Sequence, residues 1–96
     1  MMRVTVEYLG FVRILLRKRG ETFELEDGAP LAQLLSRIAS TYGEAFMKEV
    51  YEPGMKDLKP GFVASVNGIL TGQLRGLETR LKDGDHVILM PFASGG

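Results

Sequence analysis

A chain of 96 residues with 12 Lys plus Arg and 12 Asp plus Glu carries no net charge. That balance argues against nucleic acid as the main partner, because phosphate binding needs a clear cationic excess. The chain contains no cysteine, which excludes disulfides, thiolate metal sites and a cysteine nucleophile. No stretch approaches the ~18 apolar residues that span a bilayer, and the first residues lack a signal peptide's apolar core. The expectation is therefore a single cytoplasmic domain, residues 1–96, with no membrane partner.

Arg3 to Leu9 alternates, with Val4, Val6 and Tyr8 on one face and Arg3, Thr5 and Glu7 on the other, the period of a half-buried strand ended by Gly10. Phe11 to Arg19 is ambiguous: Ile14-Leu15-Leu16 is apolar, but Arg17-Lys18-Arg19-Gly20 closes it quickly. Glu21 to Glu26 alternates again with Phe23 and Leu25 inward, and Asp27-Gly28 marks a turn. These two runs form a hairpin with a long connection.

Pro30 suits the first position of a helix, where a missing N–H costs nothing. Leu31, Leu34, Leu35, Ile38, Ala39 and Tyr42 then recur at helical spacing as one apolar stripe, the clearest signal in the chain. Gly43 is placed to end this helix, and Ala45 to Val50 adds a further helical turn or two. Tyr51 to Gly61, with Pro53-Gly54 and Pro60-Gly61, reads as a long polar connection. Phe62 to Val66 is a short strand with Phe62, Ala64 and Val66 on one face, and Asn67-Gly68 is a two-residue hairpin turn leading to Ile69 and Leu70. Gln73 to Leu81 reads as a short helical turn and loop. Asp83-Gly84-Asp85 makes a second tight turn, and His86 to Phe92 is the last strand. A helix with a single stripe to bury, laid across a mixed sheet, accommodates this order.

The last third resembles the MoaD/ThiS family of ubiquitin-like sulfur carriers. The resemblance rests on Val66-Asn67-Gly68, on Leu81-Lys82-Asp83-Gly84-Asp85-His86-Val87, and on Pro91-Phe92-Ala93-Ser94-Gly95-Gly96. Each motif is weak alone; the set is specific in its order, its spacing and its ending on the second glycine. Weaker similarity runs over the whole chain and looks nearest to the molybdopterin-synthase small-subunit branch. The long 51–61 connection depart from that branch, as does Phe92, where bacterial members often carry a second proline. The fold implied is α+β, a β-grasp (ubiquitin-like) sheet with one main helix and a flexible tail over 93–96.

The resemblance also implies a chemistry. In this family a ubiquitin-activating-like adenylyltransferase of the MoeB/ThiF type consumes ATP to adenylate the terminal carboxylate. Sulfur then displaces AMP, and the thiocarboxylate donates that sulfur to a biosynthetic intermediate. In the molybdopterin branch the acceptor sits on a large subunit of the MoaE type. Gly96 is then the reacting residue and Gly95 its companion, with no cofactor held by the chain itself. The residues suit that role. Glycine passes through a narrow channel and adopts backbone angles closed to other residues, and Ala93 and Ser94 are also small. The four residues from Ala93 to Gly96 reach about 13–14 Å at most, and Pro91 holds the backbone before them extended. By itself a Gly-Gly end is most often a frayed terminus; the motifs in register before it reverse that reading.

Family members bind partners through an apolar patch beside the tail, which makes Ile69, Leu70, Met90, Phe92, Ala93 and Ser94 the candidate partner-binding residues. Met90 and Phe92 alternate out of phase with Val87 and Leu89, so one of these pairs faces the core. His86, the only histidine, reads as a solvated strand residue, and Arg17-Lys18-Arg19 as a solvated loop. Asp83 and Asp85 are explained by turn geometry rather than by a metal. No nucleophile–base pair or metal cluster suggests an enzyme. The competing readings are a protein modifier joined through Gly96 to lysines, and a non-catalytic β-grasp binding module. The acceptor of the sulfur stays open among molybdopterin, thiamine, a tRNA base and an amino acid.

Overall fold

The structure is a computed structural model and describes residues 1–92. Its elements are β1 (Met2–Tyr8), α1 (Gly10–Leu16), β2 (Gly20–Leu25), α2 (Leu31–Tyr42), α3 (Glu44–Glu49), β3 (Tyr51–Glu52), β4 (Asp57–Leu58), β5 (Phe62–Val66), β6 (Ile69–Leu70) and β7 (His86–Pro91). Two short 3-10 turns, Thr71–Gln73 and Gly76–Glu78, lie between β6 and β7. Five strands form one sheet in the order β2-β1-β7-β5-β6. The β1–β7 pair is parallel and the others are antiparallel, giving the mixed sheet of a β-grasp fold.

The inner face of the sheet presents Val4, Val6 and Tyr8 of β1, Val87 and Leu89 of β7, and Ala64 and Val66 of β5, all buried. Leu31, Leu34, Leu35, Ile38 and Ala39 of α2 belong to the same core and are also buried. Burying a side chain of this size contributes roughly 1.5–3 kcal/mol, so this stripe is what fastens α2 to the sheet. Pro30 precedes the helix rather than opening it. The first helical N–H, on Leu31, is satisfied by the Thr79 carbonyl at 2.8 Å, which ties the 73–81 segment to α2.

Three readings are sharpened by the structure. The ambiguous stretch after Gly10 is helix α1, with Val12 and Leu16 inward while Ile14 is 73% exposed. The helical reading was obscured because Ile14 breaks the apolar spacing. The 51–61 connection contains a small separate hairpin, β3 with β4. Its strands are two residues long, too short for alternation to register. Tyr51 at its base is buried and stacks on Phe46 of α3, with ring centroids 5.7 Å apart. Third, Phe62 shares the face of Ala64 and Val66 but is only partly buried, at the margin of the core.

A polar junction pins β1, β2 and α2 together. The Tyr8 and Tyr42 hydroxyls both donate to Glu21 Oε2, and Lys18 Nζ lies 3.3 Å from Glu21 Oε1. Burial by itself would raise the Glu21 carboxyl, but hydrogen bonds from Tyr42, Tyr8 and Lys18 outweigh it and hold the group below its ordinary value. Burial, reinforced by the bond to Glu21, pushes the Tyr42 phenol up to about 12 and the Tyr8 phenol higher still.

Candidate functional site

Two of the sequence motifs meet at the start of β7. Asn67 has φ 52°, a left-handed conformation that Asn tolerates in a tight turn. Its Nδ2 donates to Asp85 Oδ1 at 2.9 Å, and its Oδ1 accepts from the His86 N–H at 2.9 Å. The other Asp85 oxygen accepts from the Lys82 N–H at 2.8 Å. Asp83 Oδ1 accepts from the Arg3 N–H at 2.8 Å, and the Gly84 N–H donates to the Arg3 carbonyl. The motif residues therefore lock β1, the β5–β6 turn and the entrance of β7 into one register. Their role is architectural, and among the described residues no group of three or more His, Cys, Asp or Glu could hold a metal.

The other end of β7 is where the chain runs into the tail. Gly95, Gly96, Ala93 and Ser94 lie outside the described residues. Phe92, the last described, is 50% exposed and donates its N–H to the Gly61 carbonyl at 2.8 Å, so pairing with the β5 side persists one residue beyond Pro91.

The alternation along β7 is resolved: Val87 and Leu89 face the core, and Ile88 and Met90 face the opposite side of the sheet, half-buried. In register, Met90 stands opposite Val63 and Ile88 opposite Ser65, which in turn stands opposite Leu70. Residues directly opposite share a face, so Leu70, Val63, Ile88 and Met90 form an apolar strip across β6, β5 and β7. A groove of ≈ 350 Å³ bordered by Val63 and Leu70 extends it toward Leu58 and Pro60. Leu9, half-buried just after Tyr8, continues the strip on the β1 side, its N–H bonded to the Leu89 carbonyl.

Leu70 and Met90 thus share the outer face of the sheet, with Met90 two residues before Phe92. Ile69 does not: it stands opposite Val66, a core-facing residue, and therefore points to the other face, 45% exposed. Val63 and Ile88 were missed by sequence reasoning. Period-two counting along β5 and β7 identifies both once it is known that the outer face of these strands is apolar.

Across the same face, toward β1, the surface turns polar. His86 Nε2 lies 3.0 Å from Glu7 Oε1, and Arg13 Nη2 lies 3.9 Å from Glu7 Oε2. His86 is therefore exposed but paired. In the basic run, Arg17 closes α1 with φ 57° and Lys18 is engaged with Glu21. A larger groove of ≈ 860 Å³, lined by Pro30, Leu74, Arg75, Leu77 and Arg80 among others, shares no residue with the apolar strip.

Comparison with known proteins fits this geometry. No curated protein matches the sequence, but solved structures align over nearly the whole chain. Small archaeal modifier protein 1 from Methanosarcina acetivorans is 24% identical, with a TM-score of 0.79, covering 100% of this chain and 98% of that one. A Pyrococcus furiosus protein provisionally assigned as molybdopterin converting factor, subunit 1, is 28% identical with a TM-score of 0.74, covering 97% and 100%. A chain of the Amycolatopsis orientalis BexX/CysO complex is 25% identical with a TM-score of 0.69, covering 97% and 99%. The ThiS family model matches residues 6–96, and with the sheet order, the locked turns and the apolar strip beside the tail the chain belongs to that family of ubiquitin-like carrier and modifier proteins, which are not themselves enzymes.

Proposed function

We propose that the chain is a sulfur carrier whose Gly96 carboxylate is activated and converted to a thiocarboxylate. The observation that carries this reading is the placement of the apolar strip on β7, which leads into the tail and carries Ile88 and Met90, and on its neighbours β5 and β6, which carry Val63 and Leu70. An exposed apolar patch beside a small-residue terminus is the form expected of a docking face that feeds a chain end to a partner. The Gly96 carboxylate attacks the α-phosphorus of ATP and pyrophosphate leaves. A sulfide-equivalent nucleophile then attacks the acyl carbon and AMP departs. ATP and catalysis belong to an adenylyltransferase of the MoeB/ThiF type; this chain contributes the acyl group and the surface that presents it. The acceptor we favour is a molybdopterin precursor held by a MoaE-type large subunit. The likeness to the Pyrococcus furiosus protein supports this branch. The carrier is cytoplasmic, and residues 1–96 act as one domain.

A second reading has its own support. The fold is shared with a small archaeal modifier protein, and an activated Gly96 acyl group also reacts with a lysine amine to form an isopeptide bond. Thiol trapping separates the two. The chain is incubated with an adenylyltransferase, ATP and a sulfur source, alkylated, and its C-terminal peptide sequenced by mass spectrometry. Because the chain has no cysteine, alkylated sulfur on Gly96 identifies a thiocarboxylate. Intact mass alone does not, since oxidation of one of the five methionines shifts it by nearly the same amount. An unmodified terminus with an enzyme active on another carrier overturns the sulfur reading, and Gly96 joined to lysines in the host favours the modifier.

A further inference from the structure

We propose that Gly10 is a positioning residue for the reactive tail, acting through Pro91; the proposal rests on the reading that Gly96 is activated by an adenylyltransferase. Gly10 has φ +55°, and a Cβ placed on it would stand 3.1 Å from both Cγ and Cδ of Pro91. So close a contact forces the neighbour to give by a few tenths of an ångström. The first turn of α1 is therefore seated directly on the last residue of β7.

Proline makes that seat consequential. It has no N–H to donate, so no backbone acceptor can hold it through its nitrogen; its ring is the handle left there. On the strand side Pro91 stands opposite Phe62, and the next N–H, of Phe92, bonds to Gly61. On the helix side Phe11, which follows Gly10, brings its ring to 6.3 Å from that of Phe62, tilted by 39°. The turn itself is tied to β7 by the Leu9 N–H bond to the Leu89 carbonyl at 3.0 Å. Gly10 thus lies directly against one side of the exposed Pro91 ring, while Phe62, paired with Phe11, stands opposite Pro91 across the strands. The ring's orientation sets the direction in which the backbone leaves toward residues 93–96. Pro91 and Phe92 are the base from which residues 93–96 are offered to the enzyme, and misplacing a reacting group by about 1 Å can cost 10²-fold in rate.

Two requirements coincide at Gly10, a left-handed φ and the absence of a Cβ, and substitution separates them. Asn tolerates the left-handed conformation, so Gly10→Asn chiefly adds the Cβ. Pro91→Ala removes the ring atoms that the Cβ would meet. The full chain is assayed by ATP–pyrophosphate exchange with an adenylyltransferase. Gly10→Asn is expected to lower kcat about tenfold while KM stays within about twofold, because the docking strip is untouched. In the Pro91→Ala background the same substitution is expected to add no further loss. Amide shifts should change only around residues 10–12, 61–62 and 91–92. A wild-type kcat in Gly10→Asn overturns the proposal, as does an equal loss in both backgrounds, which would mean an effect through the fold alone. Wild-type chain that supports no exchange, with an enzyme active on another carrier, overturns instead the reading on which the proposal rests, and the proposal with it.

Discussion

Asn67 and Asp85 are joined by a 2.9 Å hydrogen bond between Asn67 Nδ2 and Asp85 Oδ1, across 18 residues of sequence. Asp85 is 7% exposed and also accepts from the Lys82 N–H. Replacing it with Ala leaves two donors, Asn67 Nδ2 and the Lys82 N–H, without their part-buried acceptor. Each such loss costs about 1–3 kcal/mol, and Asp85→Ala is expected to lower stability by roughly 2 kcal/mol in urea denaturation. Sulfur loading measured well below the new transition should be unchanged, since this turn lies at the opposite end of β7 from the tail.

The Glu21 junction predicts how stability varies with pH. Glu21 titrates below its ordinary value near 4.5 in the folded protein. Its contribution is therefore complete above that value and lost as pH falls through the folded one. Tyr42 is shifted the other way, to about 12 from 10.0. Its contribution is present below pH 10 and fades as pH rises toward 12. Melting temperatures measured across pH should fall at both ends. Glu21→Gln should lower the neutral plateau and flatten both limbs, and a variant with an unchanged acid limb would show that the junction is not their source.

The apolar strip predicts a defect in binding without a defect in folding. Phe92 is 50% exposed, so Phe92→Asp should leave the thermal midpoint within a few degrees. It should also raise KM for the adenylyltransferase by about tenfold, the loss of about 1.4 kcal/mol of docking free energy. Met55→Asp, at a residue 72% exposed on the β3–β4 turn and outside the strip, serves as control and should change neither.

Removing Gly95 and Gly96, or adding one residue after Gly96, should abolish pyrophosphate exchange. The urea midpoint should hardly move, because changes away from packed residues usually fall within about 0.5 kcal/mol. An extended chain that still accepts sulfur would place the reactive group elsewhere.

Legibility in the sequence followed the length and regularity of each element. Helix α2 was plain because five residues of its stripe are buried and nothing interrupts their spacing. The Asn67-Gly68 turn was plain because its conformation demands such residues. Helix α1 was hidden by Ile14, apolar yet exposed, and β3 and β4 by their brevity. Residues of the apolar strip were half legible. Met90 and Leu70 could be named from their position beside the tail, but Val63 and Ile88 required knowing that β5 and β7 are neighbours. The face of Ile69 follows from hairpin register: the residues flanking a two-residue turn share a side, so Ile69 goes with Val66. The Gly10–Pro91 contact joins residues about 80 positions apart and leaves no local trace.

The parallel pairing of β1 with β7 brings Thr5 beside His86, so the central strand of the sheet is the one a ribosome makes last. Until residues 86–91 have emerged, β1 and β5 have no strand between them to pair with. Such non-local closure is slow relative to helix formation. A nascent chain can acquire α2 early but cannot complete its sheet until synthesis has passed Pro91. The docking strip, half of which is β7 itself, is assembled in that same last step. Under the proposed function, an activating enzyme would therefore find no landing surface on unfinished copies.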